Sequence, residues 1–499
     1  MSTMKRACEM NREGKRRTNP AGSHAQRSVA TRRLRRIAQR VAGAFGALML
    51  AALPVRDARA HAGDLDPTFG DNGIVIVSNL RPEAPFDAAT AVAIQPDGKI
   101  VVVGQWGASS PGPTFAVVRF NADGSLDDSF GFEGRVTLSS GYAGGDEAHG
   151  VAIAPDGKIL VGGYFGMYGG VYRLGADGTL DSGFGSAGAV VIAANGDSGH
   201  RTTLNDLLLD GSGGTFFAGV YYGSGHGEYM LGWLASDGTI LTATPVNLGI
   251  GDRDQIATAL VRQSDTKIVV AGYADLTDVS GYDRIVCAVA RFTPTVFPSF
   301  GFAPDPDYGY GPASFFSIGT TEPTTSCYAD TLALMPDGSA LAAGREPLTA
   351  GGWLGLYADL DSEGQLASDF IGLPAFSTWG ENSVRSIALQ SDGKPVLVGY
   401  TGVDPSGVPG PFAARLAADG SDFDPDYGND GETLIDFDPG DFASGQALGA
   451  AIDAQGRVVI VGIYFNGNSG EGGADVSQIF IARLQGDASD RIFADGFDG

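Results

Sequence analysis

Groups able to attack, ligate or stack are scarce in this 499-residue chain once its repeating patterns are set aside. Beyond residue 60 the histidines are His61, His149, His200 and His226. Nucleophilic catalysis needs such a base beside a serine or cysteine, and no G-x-S-x-G, H-E-x-x-H, Walker A or C-x-x-C pattern occurs. His149 opens an apolar run that reads as an inner strand, where an imidazole can line a channel and touch a ligand; His200 and His226 fall in Gly/Ser-rich stretches. Tyr308 and Tyr310 stand among carboxylates in FAPDPDYGYGPASFF (302–316), the longest insertion between repeats. Tyrosine faces beside acids are the chemistry of a sugar-stacking rim, so both are candidate ligand contacts; packing of the loop onto its own sheet is the alternative.

Asp422, Asp424 and Asp426 alternate in SDFDPDYG, as the first ligands of a calcium loop do. Glycine comes one place late, at Gly428, and Thr433 holds the twelfth position where glutamate is needed, so a structural turn is the preferred reading. No cofactor is expected from these patterns, calcium being the one that the alternating aspartates could hold. Cys8 lies in the leader, which leaves Cys287 and Cys327. An even pair forms either one disulfide in an oxidising compartment or two separate buried thiols.

The elements that must position these residues reveal themselves by repetition. QPDGKIVVVG (95–104) returns as APDGKILVGG (154–163), QSDTKIVVAG (263–272), MPDGSALAAG (335–344) and QSDGKPVLVG (390–399), with weaker copies at 211–219 and 454–462. The closing glycines Gly104, Gly163, Gly219, Gly272, Gly344, Gly399 and Gly462 lie 53 to 72 residues apart and define seven units. A second string follows, as in FAVVRFNADGSL (115–126), VYRLGADGTL (171–180) and FAARLAADGS (412–421), often with LDxxFG, as in LDDSFG (126–131) and LDSGFG (180–185). Together these words resemble the delta-sixty repeat of bacterial exported proteins over roughly residues 64–489. Units three and five depart from it: Trp233 stands where others carry arginine, and LASDF replaces LDxxFG. The resemblance implies a β-propeller-like repeat fold on a secreted protein and no established chemistry.

The residues lead to the same architecture independently. In the first unit, short apolar runs at 89–95, 99–105, 115–121 and 134–140 are bounded by Gly, Asp, Asn and Pro, which predicts four strands. PDG and ADG supply the tight turns, and near-continuous apolarity on the central runs means that both faces of each sheet are covered. Four strands per unit, seven times, predict an all-β, seven-bladed propeller of four-stranded blades over residues 63–487. The chain opens on an outer-strand element and closes on a third strand, so pairing residues 73–77 with 479–484 would close the ring and remove an open edge. The lysines Lys99, Lys158, Lys267 and Lys394 all occupy the PDG turn and read as hairpin or interblade contacts. Arg119/Asp123, Arg173/Asp177, Arg415/Asp419 and Arg483/Asp487 read as strand-end ion pairs, worth about 0–1 kcal/mol each where exposed, or as arginine-to-carbonyl bonds within a blade.

Residues 1–60 hold 14 of the 33 Lys+Arg and 3 of the 58 Asp+Glu, so the remainder carries a formal charge of −36. Such a surface repels nucleic acid and anionic lipid. RRLRRIAQR (32–40), an apolar run over 41–55 and Ala-x-Ala cleavage sites after Ala60 or Ala62 mark residues 1–62 as a signal peptide with a long basic region. Arg32-Arg33 fits a twin-arginine signal only in part, because Arg35-Arg36 occupies the place of an apolar pair. No later apolar run is long enough to span a membrane, and the mature chain is expected to be secreted or periplasmic and monomeric. Residues 488–499, with Phe493 and Phe497, form a tail that reads as a sorting segment or a frayed end. The functional reading is a non-catalytic binding or surface-interaction module for an unknown extracellular ligand, glycan or protein. The alternative is a hydrolase or lyase acting on extracellular polysaccharide through carboxylates at the channel mouth. An enzyme should gather two unit-specific carboxylates and a polar partner in one pocket.

Overall fold

The computed structural model describes residues 61–487 except 78–86, 108–112, 143, 197–198, 224, 249–252, 264–266, 278–282, 310–312, 317–325, 349–351, 368–370, 373–381, 403–409, 438–443 and 466–476. Residues 1–60 of the expected signal peptide, Tyr310 and residues 488–499 lie outside the described residues.

Seven antiparallel sheets succeed one another along the chain as the blades of a propeller. Blade 1 runs outward from the axis as Asp87–Ile94, Ile100–Trp106, Thr114–Phe120 and Arg135–Leu138. The later blades repeat this meander, and blade 4 gains a fifth strand, Ser314–Phe316, paired with Cys287–Val289. Ile74–Val77 pairs antiparallel with Ser477–Leu484, Ile74 opposite Ala482 and Val77 opposite Ile479. The first strand thereby supplies the outer edge of blade 7 and closes the ring.

Seven apolar clusters fill the seven blade interfaces, which explains why the second and third strands lack polar alternation. Between blades 1 and 2, for example, Val101, Phe115 and Val117 meet Ala148, Ile159 and Phe165. Cys287 of blade 4 is disulfide-bonded to Cys327, which precedes the inner strand of blade 5, and both are fully buried.

The repeated arginines bolt blades together in a manner the four-residue spacing did not foretell. They are buried, and their partner is the aspartate of LDxxFG rather than the aspartate four residues on. Arg119 Nε donates to Asp127 at 2.7 Å, its guanidinium lies 4.5 Å from the Phe130 ring centroid, and Nη1 reaches the Ala176 carbonyl of blade 2 at 2.5 Å. Arg173, Arg291 and Arg483 repeat the arrangement on Asp181, Asp305 and Asp66, over Phe184, Tyr308 and Phe69. Their carbonyl acceptors in the next blade are Ser236, Ser362 and Ala122. Arg415 pairs with Asp424 over Tyr427 and crosses to the Asp487 carboxylate. The PDG lysines join the same aspartates, as Lys99 does on Asp127 at 2.9 Å. Asp123 instead turns its carboxylate onto the N–H of Ser125, as the tight turn demands.

One irregularity recurs in every blade and sets up the site. The inner strand carries a β-bulge at the same place, between Ala89 and Ala91 in blade 1 and between Ala148 and Gly150 in blade 2. The other five lie at Leu204/Asp206, Ala257/Ala259, Ala329/Thr331, Val384/Ser386 and Ala447/Gly449. Opposite the residue before each bulge sits one of the seven closing glycines, Gly104 facing Ala89 and Gly163 facing Ala148. A methyl group on any of the seven would be driven into a backbone carbonyl of the bulged strand. The glycine thus admits the bulge, and the bulge frees one side chain per blade from the ladder.

Candidate functional site

The seven freed residues are Thr90, His149, Asn205, Thr258, Asp330, Arg385 and Leu448. All seven line one cavity of about 320 Å³ at the axis, together with Ile256, Tyr273 and Arg345. They come from a single repeat position yet comprise six residue types, whereas neighbouring positions hold the scaffold.

Most of the ring is stitched blade to blade. Thr90 Oγ1 donates to the Ala148 carbonyl at 2.6 Å, His149 Nδ1 to Leu204 at 2.7 Å, Asn205 Nδ2 to Ala257 at 2.7 Å and Thr258 Oγ1 to Ala329 at 2.7 Å. Each acceptor immediately precedes the next blade's bulge. Because its Nδ1 is committed to a carbonyl, His149 presents Nε2 outward, 3.6 Å from Glu147. That contact and the charge of Arg201 hold the Glu147 carboxyl below its usual range. Arg201 in turn lies between the rings of Tyr164 and Tyr222, at 5.1 and 5.2 Å.

At blades 5 and 6 the stitching becomes ionic. Asp330 meets Arg385 Nη1 at 3.1 Å and Arg345 Nε at 3.6 Å, the second distance too long for a hydrogen bond. Burial pushes the Asp330 carboxyl up, and the two guanidiniums oppose that shift. The Arg345 guanidinium lies 4.7 Å from the Trp353 ring centroid and 5.8 Å from that of Tyr328, and its buried Nε has no hydrogen-bond acceptor. Tyr273 packs edge-on against Tyr328 at 4.9 Å, and burial raises its phenol to about 12. The cavity therefore combines two guanidiniums, one carboxylate already paired with both, an imidazole, an amide, two hydroxyls and an aromatic wall.

Of the residues singled out in the sequence, His149 is in this ring. Tyr308 is not: it is fully buried beneath Arg291 at the aromatic place of LDxxFG, so its face is unavailable for stacking sugar. His200 is exposed against Tyr221, and His226 lies 3.7 Å from Glu228. Asp424 is taken up by Arg415 and Lys394. Among the described residues no cluster of three or more His, Cys, Asp or Glu could hold a metal ion. Sequence reasoning passed over Asp330, Arg345 and Arg385. The signal for Asp330 and Arg385 was the position five residues before the first residue of the PDG string, which varies freely inside an otherwise repetitive unit; Arg345 stands directly after the closing glycine Gly344.

Three segments, residues 95–130, 154–184 and 390–421, match a family described as a domain of unknown function (DUF5122) beta-propeller. They fall in blades 1, 2 and 6, and the match supports a β-propeller family for the chain. No curated protein matches it. Similar solved structures include a protein of unknown function from Dyadobacter fermentans, with 13% identity, a TM-score of 0.45 and coverage of 84% of this chain and 100% of that one. Another is Drosophila Semaphorin 1a, extracellular domains 1-2, with 11% identity, a TM-score of 0.43 and coverage of 81% and 87%. A third is a Penicillium chrysogenum alpha-L-arabinanase complexed with arabinobiose, with 12% identity, a TM-score of 0.38 and coverage of 66% and 91%. No helix among the described residues is long and apolar enough to cross a membrane.

Proposed function

We propose that the chain is an exported, non-catalytic propeller of the delta-sixty kind whose axial cavity captures an oxygen-rich ligand bearing a carboxylate, such as a uronic acid unit of an extracellular glycan. Arg345 carries this reading: its flat guanidinium lines the cavity beside aromatic faces, with Asp330 too far from its Nε for a hydrogen bond, and a carboxylate accepts guanidinium N–H groups in parallel bonds. His149, Asn205 and the two threonines are suited to the hydroxyls of a sugar ring. Hydrolysis of glycosides uses two carboxyl groups about 5–10 Å apart, and among the described residues the cavity lining offers one, Asp330, already ion-paired. What supports export is the basic leader followed by an apolar run and Ala-x-Ala cleavage sites.

The test is calorimetric titration of the protein with a short oligogalacturonate and with a neutral oligosaccharide of equal length. Saturable binding of the acidic ligand, weakened at least about tenfold by Arg345→Met, is the expected result. Equal binding of the neutral ligand, or an unaffected Arg345→Met variant, would overturn the reading. So would release of new reducing ends.

A further inference from the structure

The interblade bolt is missing from two of the seven blades, and only one of these is repaired. In blade 3, Trp233 replaces the arginine, donates to Asp210 Oδ2 at 2.9 Å and packs between Phe216 and Phe300, while Arg262 of blade 4 donates to the Asp210 carbonyl at 2.5 Å. In blade 5 the three polar partners change together, and the aromatic place of the motif keeps Phe370. Asp359 stands at the arginine position, Ser339 at the lysine position and Ala367 at the LDxxFG aspartate. The equivalence is fixed by the backbone: Ala367 N–H donates to the Asp359 carbonyl at 2.9 Å, as Asp127 N–H does to Arg119 at 3.0 Å.

A cavity of about 410 Å³ remains where the guanidinium would lie, between blades 5 and 6 on the face of the PDG and ADG turns. Met335 and Leu341 give it an apolar side. Ala418 of blade 6, the residue whose counterparts Ala176, Ser236, Ser362 and Ala122 accept a guanidinium N–H, lines the opposite side. A methyl added at Gly124, Gly178 or Gly238 would meet the ring of Phe69, Phe130 or Phe184 at 3.0 Å; at Gly420 no described residue lies within 4 Å, and Phe370, which holds the place of that ring in the blade 5 motif, lies outside the described residues. Asp359 Oδ1 is shut off from solvent and has no hydrogen-bond partner. Burial raises the Asp359 carboxyl, the charge of Asp337 adds to that, and Ser339 opposes it.

We propose that this cavity is a binding site for a guanidinium group on an aliphatic stem, occupying the place that an internal arginine fills in five sister blades. Asp359 would take the N–H groups through its idle oxygen, the Ala418 carbonyl would accept another, and Met335 and Leu341 would flank the stem. The ligand is either a small guanidino compound or an arginine side chain of another polypeptide. The chemistry at the head group is the same for both. The site lies apart from the axial cavity and does not depend on the function proposed for it.

The experiment titrates the full chain with agmatine, with L-arginine, with an acetylated and amidated Gly-Arg-Gly peptide, and with butylamine as a non-guanidino cation of similar reach. Saturable binding of a guanidino probe, at least about tenfold tighter than butylamine, is expected. Tighter binding of the peptide would assign a polypeptide source, and tighter binding of agmatine or arginine a small molecule. Asp359→Asn should weaken the best probe at least about tenfold. The double variant D359R/A367D rebuilds the sister-blade bolt and should abolish binding while melting no lower than the parent. Absence of saturable binding, parity with butylamine, or undiminished binding by Asp359→Asn would each overturn the proposal. Should the double variant fail to fold, Asp359→Asn decides alone.

Discussion

If the closing glycines exist to admit the bulges, then Gly163→Ala should be far more damaging than Gly157→Ala, although local conformation alone predicts the reverse. Gly157 sits in the blade 2 turn at φ +82° with nothing within 4 Å of an added methyl, so its cost is that of a left-handed alanine, about 1–2 kcal/mol. Reduced freedom of the unfolded chain offsets part of that, leaving roughly 1 kcal/mol. Gly163 has an ordinary strand conformation, where alanine would otherwise gain about 0.5–1 kcal/mol. Its methyl, however, would enter the Glu147 carbonyl and lie 3.0 Å from Ala148 Cα. Both strands are fixed by ladder bonds, so relief requires moving backbone or losing the bulge, and losing the bulge turns every later residue of the inner strand to the opposite face. Overpacking of this kind costs typically 1–3 kcal/mol, and more against main chain than against a side chain. We expect Gly163→Ala to lose about 3 kcal/mol or more by urea denaturation and to lose ligand binding at the axis. A Gly163→Ala midpoint at or above that of Gly157→Ala would refute the link between glycine and bulge.

Three further outcomes follow from the geometry. Replacing both Cys287 and Cys327 with serine opens a 40-residue loop joining blades 4 and 5 and should cost about 4 kcal/mol, read as a lowered urea midpoint; an unchanged midpoint would deny the bond a stabilising role. Arg119→Met removes one of the two cations on the buried Asp127, leaving Lys99 and Ser129 on it, and should cost about 1.5–3 kcal/mol by urea denaturation, where an exposed ion pair would cost under about 1 kcal/mol. Stability should also peak on the acidic side of neutrality. Burial pushes Asp87 and Glu432 to about 7 and Asp206 to about 6, above the unfolded value near 4, so these groups bind protons more tightly when folded and stability falls as pH rises from about 4 to 7. Asp66, Asp127, Asp305 and Asp424 are held low by hydrogen bonds and cations in spite of their burial, so their contribution is present above about pH 4 and disappears below it. Melting temperature measured from pH 3 to 9 should therefore be highest near pH 5, and a monotonic rise toward pH 8 would contradict the assignment.

The blade count, strand order and ring closure were legible because each rests on local words: a turn at PDG, an apolar run, a glycine at a fixed distance. The arginine bolt was half legible. Its recurrence marked it as scaffold, but the spacing to Asp123 drew attention to a turn residue, while the true partner, Asp127, is brought under the guanidinium by the chain's return along the blade. The axial ring was hidden for a different reason. Strand alternation assigns side chains to two faces, and a bulge breaks that alternation where the opposite glycine gives way. Tyr308 misled because an aromatic among acids looks the same in sequence whether it crowns a loop or lies under an arginine.

The same logic makes Leu448 the informative member of the ring. In blades 1 to 4 the bulged side chain donates to the carbonyl that precedes the next bulge, and blades 5 and 6 substitute the Asp330–Arg385 pair. Leucine has no donor, so blade 7 offers nothing to blade 1, whose corresponding carbonyl belongs to Ala89. Asn205 already spans this distance between blades 3 and 4 at 2.7 Å. Leu448→Asn should therefore reproduce that bond and gain about 0.5–1.5 kcal/mol from it. Loss of apolar contact opposes the gain, and Leu448→Ala measures that loss separately. If blade geometry is as uniform as the seven bulges imply, Leu448→Asn melts above Leu448→Ala by about the value of one hydrogen bond. If the two variants melt together, blade 7 is offset from its neighbours, and the bulge alone does not fix where a side chain meets the axis.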